Sequence, residues 1–410
     1  MMRSKYMILC GCLMLILLNT SCSKVAQETD TTSTPTENET TQDTQTASPN
    51  ETPSPDDQTD LLDTPSTIFT HSPVPTDSLT GIVPLGNVNP NGGHTLPTKH
   101  MYFYLTQDEQ GKTFSVPLVS PGNITITGVA KMSYINASPP RSDYTINFQL
   151  SAKIHGYLMH VQGLSESILN TIGDFGAPVQ EYGTGEYEMK RYFKSVSIPL
   201  SGGDPIGTVG GHEEAWSFDF GLYDETRPPL PFAKPARYRS GDQLHIRAAL
   251  DYYEEPLKSQ LFAYLGSYDG SENRTELPRT GEYEKDELGT AQGNWFKTSE
   301  GYADPEDDHL SLTPYNVHSG KATASFGKSS GLSHAGSGFY PFTVTQSGRV
   351  NRPFKEITAD GLIYCIDLDE IYYFIRVYSA DILWIEQREG TPDNDPSNWA
   401  FSDQKKMFYR

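Results

Sequence analysis

The chain has 410 residues, of which 52 are acidic and 31 are basic, and its net charge is −21. No basic stripe is present that could neutralise phosphates, so the charge balance excludes nucleic-acid binding as the expected function. About 325 residues follow the N-terminal segments described next, which is enough for two domains.

The first 22 residues have the layout of an export signal. Arg3 and Lys5 precede an apolar run at residues 7–18, which is too short to span a bilayer as a helix. The run ends in NTSC, which resembles the lipobox of bacterial lipoproteins, where the cysteine becomes the lipidated N-terminus. We expect residues 1–22 to be a lipoprotein-type signal peptide and Cys22 to anchor the protein on the extracytoplasmic face of the bacterial cell membrane. An ordinary cleaved signal, in which Cys22 has no role, is the alternative.

A polar segment follows the signal. Residues 25–80 are rich in Thr, Ser and Pro and contain 11 acidic residues but no Lys or Arg. Such a composition cannot bury enough apolar surface to offset the entropy lost on ordering. Residues 23–85 are therefore predicted to be a disordered acidic spacer that holds the folded part away from its anchor.

Strand signals dominate the rest of the chain. Short runs such as YTINFQL, at residues 144–150, alternate apolar and polar residues and are bounded by Gly, Pro and Asn. The clearest helix candidates are residues 164–172 and 255–265. We expect a mainly β, antiparallel fold, with one sheet domain at residues 86–270 and a second domain at residues 277–410. The second domain, whose function the sequence does not indicate, is expected to close as an antiparallel barrel or sandwich.

Several motifs follow one another in the first domain. They are HMYFYL (100–105), VPLVSPGNIT (116–125), HGYLMHV (155–161), GGDPIGTVG (202–210), WSFDFGLYD (216–224) and PFAKP (231–235). Their order resembles that of the lysostaphin-type, LytM-like zinc endopeptidases, which cleave peptidoglycan. The resemblance covers about 165 residues, from 92 to 255, and implies an antiparallel sheet that carries the site.

The resemblance implies a zinc ion held by three protein ligands, with a water molecule in the fourth position. His100 matches the first ligand, whereas Tyr104 stands in place of a ligand Asp and Asp219 in place of a ligand His. Two further histidines of the family handle protons and the transition state. His160 matches one of them, and Ser217 replaces the other. Two of the five positions are therefore retained.

The replaced positions decide the expected chemistry. A neutral phenol is a poor zinc ligand because its pKa lies near ~10 and it must lose its proton to bind well. We therefore expect no bound zinc and no cofactor, with His100, Tyr104 and Asp219 as a vestigial metal set and His160 and Ser217 as vestigial catalytic positions. Recruitment of nearby histidines, His94 or His212, remains an alternative, and His155 and His160 also fit a purely structural role in a strand.

These observations predict an envelope-anchored lipoprotein with a non-catalytic peptidase-like domain that binds or scaffolds at the cell wall. The expected partners are the membrane, through the lipid anchor, and peptidoglycan or a wall-associated protein. The alternative is a metal-dependent peptidoglycan endopeptidase that uses substitute zinc ligands. The residues expected to line the binding cleft are His94, His100, Tyr104, His160 and Asp219.

Overall fold

The computed structural model describes residues 68–184, 187–334 and 338–410. The predicted signal peptide, Cys22 and residues 23–67 of the predicted spacer lie outside these ranges. The spacer prediction is wrong for residues 68–85, because Phe69, Val74 and Ile82 are buried in the core and Leu79–Val83 is a strand. The expected mainly β, antiparallel fold is confirmed. The two predicted helices are also present, as α1 (Glu166–Ile172) and α2 (Leu257–Phe262).

Nineteen strands are found in the described ranges. They are β1 (Leu79–Val83), β2 (Met101–Leu105), β3 (Ser115–Val119), β4 (Ile124–Tyr134), β5 (Arg141–Gln149), β6 (Ile154–Leu164), β7 (Gln180–Thr184), β8 (Tyr187–Leu200), β9 (Pro205–Gly210), β10 (Ser217–Asp224), β11 (Ile246–Arg247), β12 (Gly293–Trp295), β13 (Leu310–Pro314), β14 (Lys321–Phe326), β15 (Phe339–Thr343), β16 (Tyr364–Asp367), β17 (Ile371–Ser379), β18 (Ile382–Glu389) and β19 (Lys406–Tyr409).

The largest sheet has the strand order β1-β2-β10-β6-β5-β4-β8-β7, and β3, β9 and β11 pair alongside this path. Successive side chains of a strand point to opposite faces of its sheet. In β10, Phe218 and Phe220 are buried in the hydrophobic core, so Ser217 and Asp219 lie on the other face. That face carries the candidate site.

The pairing of β5 with β6 is interrupted by a bulge. Ile146 is opposite Leu158, but Tyr144 is opposite Val161, so β6 has one residue more than β5 between these pairs. His160 lies inside the bulge with φ 63°, in the left-handed region that non-glycine residues seldom occupy. Because Leu158 and Val161 are both in the core, the bulge directs His160 to the face that carries Asp219.

The C-terminal part contains two four-stranded antiparallel sheets, β12-β13-β14-β15 and β16-β17-β18-β19. Apolar side chains from both sheets form one core, in which the rings of Phe326 and Tyr373 are 4.8 Å apart. The described residues contain no closed barrel. Of the two predicted closures, the two sheets around a shared core correspond to the sandwich.

The opposite face of β12–β14 is polar and buried against the N-terminal part. Ser325 Oγ donates to the carbonyl of Thr95 (2.7 Å), and Asn294 Nδ2 donates to the Tyr238 hydroxyl (3.0 Å). The described residues group as one compact unit, and the predicted boundary between residues 270 and 277 stays a prediction. No helix in the described ranges is both long and apolar enough to cross a membrane.

Candidate functional site

The segment that brings the first histidine to the sheet is the histidine loop, defined as residues 84–100 between β1 and β2. Asn89 shapes it, because its side chain accepts from Gly92 N (3.2 Å) and its backbone exchanges two hydrogen bonds with His94 (2.7 and 2.9 Å). The rings of His94 and His100 are 5.5 Å apart, edge to face. His100 is buried at the end of this loop, immediately before β2.

Three of the predicted residues meet at one carboxylate. Asp219 is only 1% exposed, and its Oδ2 lies 3.3 Å from His100 Nε2 and 3.3 Å from His160 Nε2. We call His100, Asp219 and His160 the His–Asp–His cluster. The histidine loop, β10 and the bulge of β6 each supply one of its members.

Each imidazole of the cluster is also held at its other nitrogen. His100 Nδ1 hydrogen-bonds to the Tyr157 hydroxyl (3.0 Å), and His160 Nδ1 to Asp143 Oδ2 (2.7 Å). A partner on Nδ1 fixes the orientation of a ring, so both Nε2 atoms face Asp219. Burial, followed by the charges of Tyr223 and Asp219, raises the pKa of Tyr157 well above its usual value, which keeps this phenol neutral.

Aromatic side chains border the cluster. The Tyr102 ring contacts the His100 ring edge to face (4.7 Å), and the Tyr104 ring packs against Tyr102 (6.1 Å) and Tyr268 (5.6 Å). Tyr268 is 56% exposed. Ser217 lies opposite Tyr104 in the pairing of β10 with β2, so two of the three replaced positions adjoin this border. We call Tyr102, Tyr104 and Tyr268 the aromatic rim.

The other predicted histidines have different surroundings. His212 Nε2 hydrogen-bonds to Gln162 Oε1 (2.9 Å), and burial, followed by the charge of Arg141, lowers the pKa of His212. The His155 ring stacks on Tyr223 (4.8 Å), and its Nε2 lies 3.8 Å from Asp242 Oδ2.

Sequence reasoning missed Asp143 and Tyr157, the two residues that orient the cluster. Tyr157 lies inside the HGYLMHV motif and immediately precedes the core residue Leu158, so the strand period predicts that Tyr157 lies on the opposite face, which carries the site. The contact of Asp143 with His160 could not be predicted from the sequence, because the bulge at His160 determines which residues of β5 and β6 lie opposite each other.

The donor atoms of the His–Asp–His cluster and the distances between them show whether zinc fits these residues. The donors of the cluster, two imidazole nitrogens and one carboxylate, suit zinc, and neighbouring ligands of a tetrahedral zinc are about 3.3 Å apart for bonds of about 2.0–2.1 Å. The two contacts to Asp219 Oδ2 have this length. As placed, however, no group of three or more His, Cys, Asp or Glu side chains in the described ranges is arranged to hold a metal ion. The donor types and the two donor-to-donor distances therefore fit zinc. In the arrangement described, however, the three side chains contact one another and do not surround a position for a metal ion.

Comparison with protein-family models, with curated proteins and with solved structures gave no match. The resemblance to LytM-like endopeptidases therefore rests on the motif residues and stays a prediction.

Proposed function

We propose that this chain is an envelope-anchored lipoprotein whose peptidase-like sheet binds wall-derived peptide or glycopeptide without hydrolysing it. The observation that supports this proposal is the double contact of Asp219, whose Oδ2 lies 3.3 Å from both imidazoles. A buried carboxylate needs compensating partners, and here two protein side chains supply them. Binding then uses the site without the metal-activated water that hydrolysis requires.

The surface beside the cluster suits an extended peptide. The aromatic rim supplies ring faces, and the His–Asp–His cluster supplies polar groups for orientation, which is the usual composition of a ligand site. We infer that Tyr268, the exposed member of the rim, contributes most of the affinity, because aromatic side chains lose little conformational freedom on binding.

The binding proposal is tested by titrating purified peptidoglycan fragments while recording backbone amide chemical shifts. We expect shifts in β2 and β10 and no fragment cleavage. Tyr268→Ala should weaken binding about tenfold, and Tyr378→Ala, at a similarly exposed tyrosine on β17 (52%), should not. Shifts confined to residues after 277 would contradict the proposal.

The membrane anchor is tested separately. Two acyl chains give stable membrane residence, whereas one chain gives marginal binding. We expect the full chain, expressed with its signal, to partition into detergent, and Cys22→Ala to remain in the aqueous phase. Equal partitioning of both chains would exclude lipidation at Cys22.

A second candidate function is a zinc-dependent endopeptidase, which the 3.3 Å spacing around Asp219 Oδ2 favours. His100, His160 and Asp219 would hold the ion, which would supply an activated water. Tyr157 and Asp143 would orient the two imidazoles through Nδ1.

Metal analysis of protein purified without chelator separates the two functions. The binding proposal predicts less than one zinc per chain. One zinc per chain that is lost in His100→Ala but kept in His155→Ala would instead establish the endopeptidase candidate, since His155 lies beside Tyr223 rather than in the cluster.

A further inference from the structure

A second candidate site lies in the segment that joins the two halves of the described chain. Residues 274–292 and 314–316 line a cavity of about 210 Å³, and no residue of the His–Asp–His cluster or the aromatic rim borders it. Pockets for drug-sized ligands have volumes of roughly 300–1,000 Å³, so this cavity suits a smaller molecule.

Two cationic side chains line this cavity without a carboxylate partner. Lys285 is 9% exposed, and its ammonium makes no hydrogen bond or ion pair with any described residue. Arg274 is 5% exposed and donates through Nε to the carbonyl of Pro278 (3.1 Å) and through Nη1 to that of Asn316 (2.6 Å). Within the described ranges its Nη2 has no hydrogen-bond partner. Glu276 and Glu282 attract both cations, but neither carboxylate contacts them directly, so both cationic groups can still bind a ligand carboxylate.

Acceptor groups line the same cavity. Glu276 and Glu282 make no side-chain hydrogen bond or ion pair with the described residues, so neither neutralises Lys285 directly. Asn316 is 5% exposed, and its Oδ1 is buried without a hydrogen-bond partner in the described part of the chain. The carboxylate of Asp286, by contrast, has a hydrogen-bond partner at each oxygen, because these oxygens accept from Asn294 N (2.8 Å) and Ala233 N (3.0 Å).

We propose that this cavity binds a small zwitterion of the α-amino-acid class. The ligand carboxylate pairs with Lys285 and Arg274 Nη2, and the ligand ammonium pairs with Glu282 and Glu276. An anion alone would face the four glutamates and the one aspartate of the lining, and a cation alone would face Lys285 and Arg274. No described group of three or more His, Cys, Asp or Glu side chains is arranged for a metal ion.

The electrostatics of Lys285 agree with this assignment. Burial lowers its pKa to about 8, and the attraction of Glu282 only partly offsets burial. A ligand carboxylate in contact with the ammonium would favour the charged form, so binding and protonation of Lys285 support each other. The inference does not depend on the proposed function, because the cavity and the cluster share no residue.

The test uses the full chain and measures binding calorimetrically, together with the thermal unfolding midpoint. The zwitterionic probes are glycine, D-alanine and L-lysine, and the single-charge probes are acetate, methylammonium and calcium chloride. We expect at least one zwitterion to bind saturably and to raise the midpoint, whereas no single-charge probe does so at the same concentration. Equal binding of acetate, methylammonium or calcium, or binding of no probe, would overturn the proposal.

Variants locate the site. Lys285→Met should weaken binding of the active zwitterion about tenfold or more, since it removes a charge-assisted hydrogen bond, and Lys355→Met, at an exposed lysine, should leave binding unchanged. If Lys285→Met does not fold, Glu282→Gln serves instead, because Glu282 is exposed and makes no hydrogen bond with the described residues. Unchanged binding in both cavity variants would place the ligand elsewhere and refute the assignment.

Discussion

At the scale of single residues, Asp219 is the group on which the candidate site depends. It is 1% exposed and contacts two imidazoles, so Asp219→Ala leaves both rings without their shared carboxylate. Removing one partner of a buried polar contact costs about 1–3 kcal/mol, and because Asp219 contacts two side chains we expect a loss of about 3 kcal/mol in the free energy of unfolding. Urea denaturation measures this loss.

Asp242→Ala is the matched control for this substitution. Asp242 also pairs with a histidine, but its carboxylate lies 3.8 Å from His155 Nε2 and both side chains are about one third exposed. Exposed ion pairs contribute about 0–1 kcal/mol, so the control should lose less than about 1 kcal/mol. If the two variants were equally destabilised, the contacts of Asp219 would not be the reason for its effect.

At the scale of elements, β10 and β6 must approach closely for Tyr157 to reach His100. Gly221 lies opposite Tyr157 in this pairing, and a Cβ atom at Gly221 would overlap the Tyr157 ring. We expect Gly221→Ala to displace Tyr157 from His100 and to lower the unfolding free energy by about 1–3 kcal/mol, as overpacking usually does.

Urea denaturation and the imidazole NMR signals of His100 report the two effects of Gly221→Ala. Gly241→Ala is the control, because a Cβ atom there would meet nothing within 4 Å. A His100 signal that is unchanged in Gly221→Ala would show that Tyr157 does not position this imidazole.

Local sequence patterns predicted the secondary-structure elements better than they predicted which side chains of different elements are in contact. The period of two residues located strands such as β5, and motif order brought together His100, His160 and Asp219 as candidates. The bulge of β6 was not predictable, since it places a histidine at a positive φ that no local signal requires. The motif comparison also assigned the position of the ligand Asp to Tyr104, whose ring packs in the aromatic rim.

At the scale of the whole molecule, Glu306 joins the C-terminal part to the histidine loop. It is 4% exposed, and its Oε2 accepts from Leu96 N (2.8 Å). Burial raises the pKa of Glu306 to about 7, against a smaller opposing effect of His94 and Lys99 and with a further small increase from Asp304. The carboxyl is therefore protonated in the folded protein at mildly acidic pH.

This pKa predicts a pH dependence with a definite sign. The carboxyl of Glu306 keeps its proton up to a pH of about 7 in the folded state, whereas it loses the proton near pH 4.5 in the unfolded chain. The contribution of Glu306 to the free energy of unfolding is therefore fully present below pH 4.5 and is lost as the pH rises to 7. The difference between the folded and unfolded pKa values corresponds to a loss of about 3 kcal/mol in the free energy of unfolding. Glu306→Gln keeps an acceptor for Leu96 N and should remove this part of the pH dependence.

Urea denaturation of the two proteins at several pH values between 4.5 and 7.5 measures the difference. The stability of Glu306→Gln relative to the native chain should increase across this window by about 3 kcal/mol. Glu300→Gln, at an exposed position, should follow the native chain at every pH. A constant difference between Glu306→Gln and the native chain would show that Glu306 does not titrate between these limits.

The contacts of the histidine loop also set an order of events during synthesis. Leu96 N and the Thr95 carbonyl take their partners from residues 210 and 230 positions later, Glu306 and Ser325. When a chain emerges from its N-terminus, His100 is therefore exposed long before the residues that fix its loop have been made. We expect nascent chains that end before residue 306 to lack a formed cleft, so that ligand binding begins only once the C-terminal sheets have been completed.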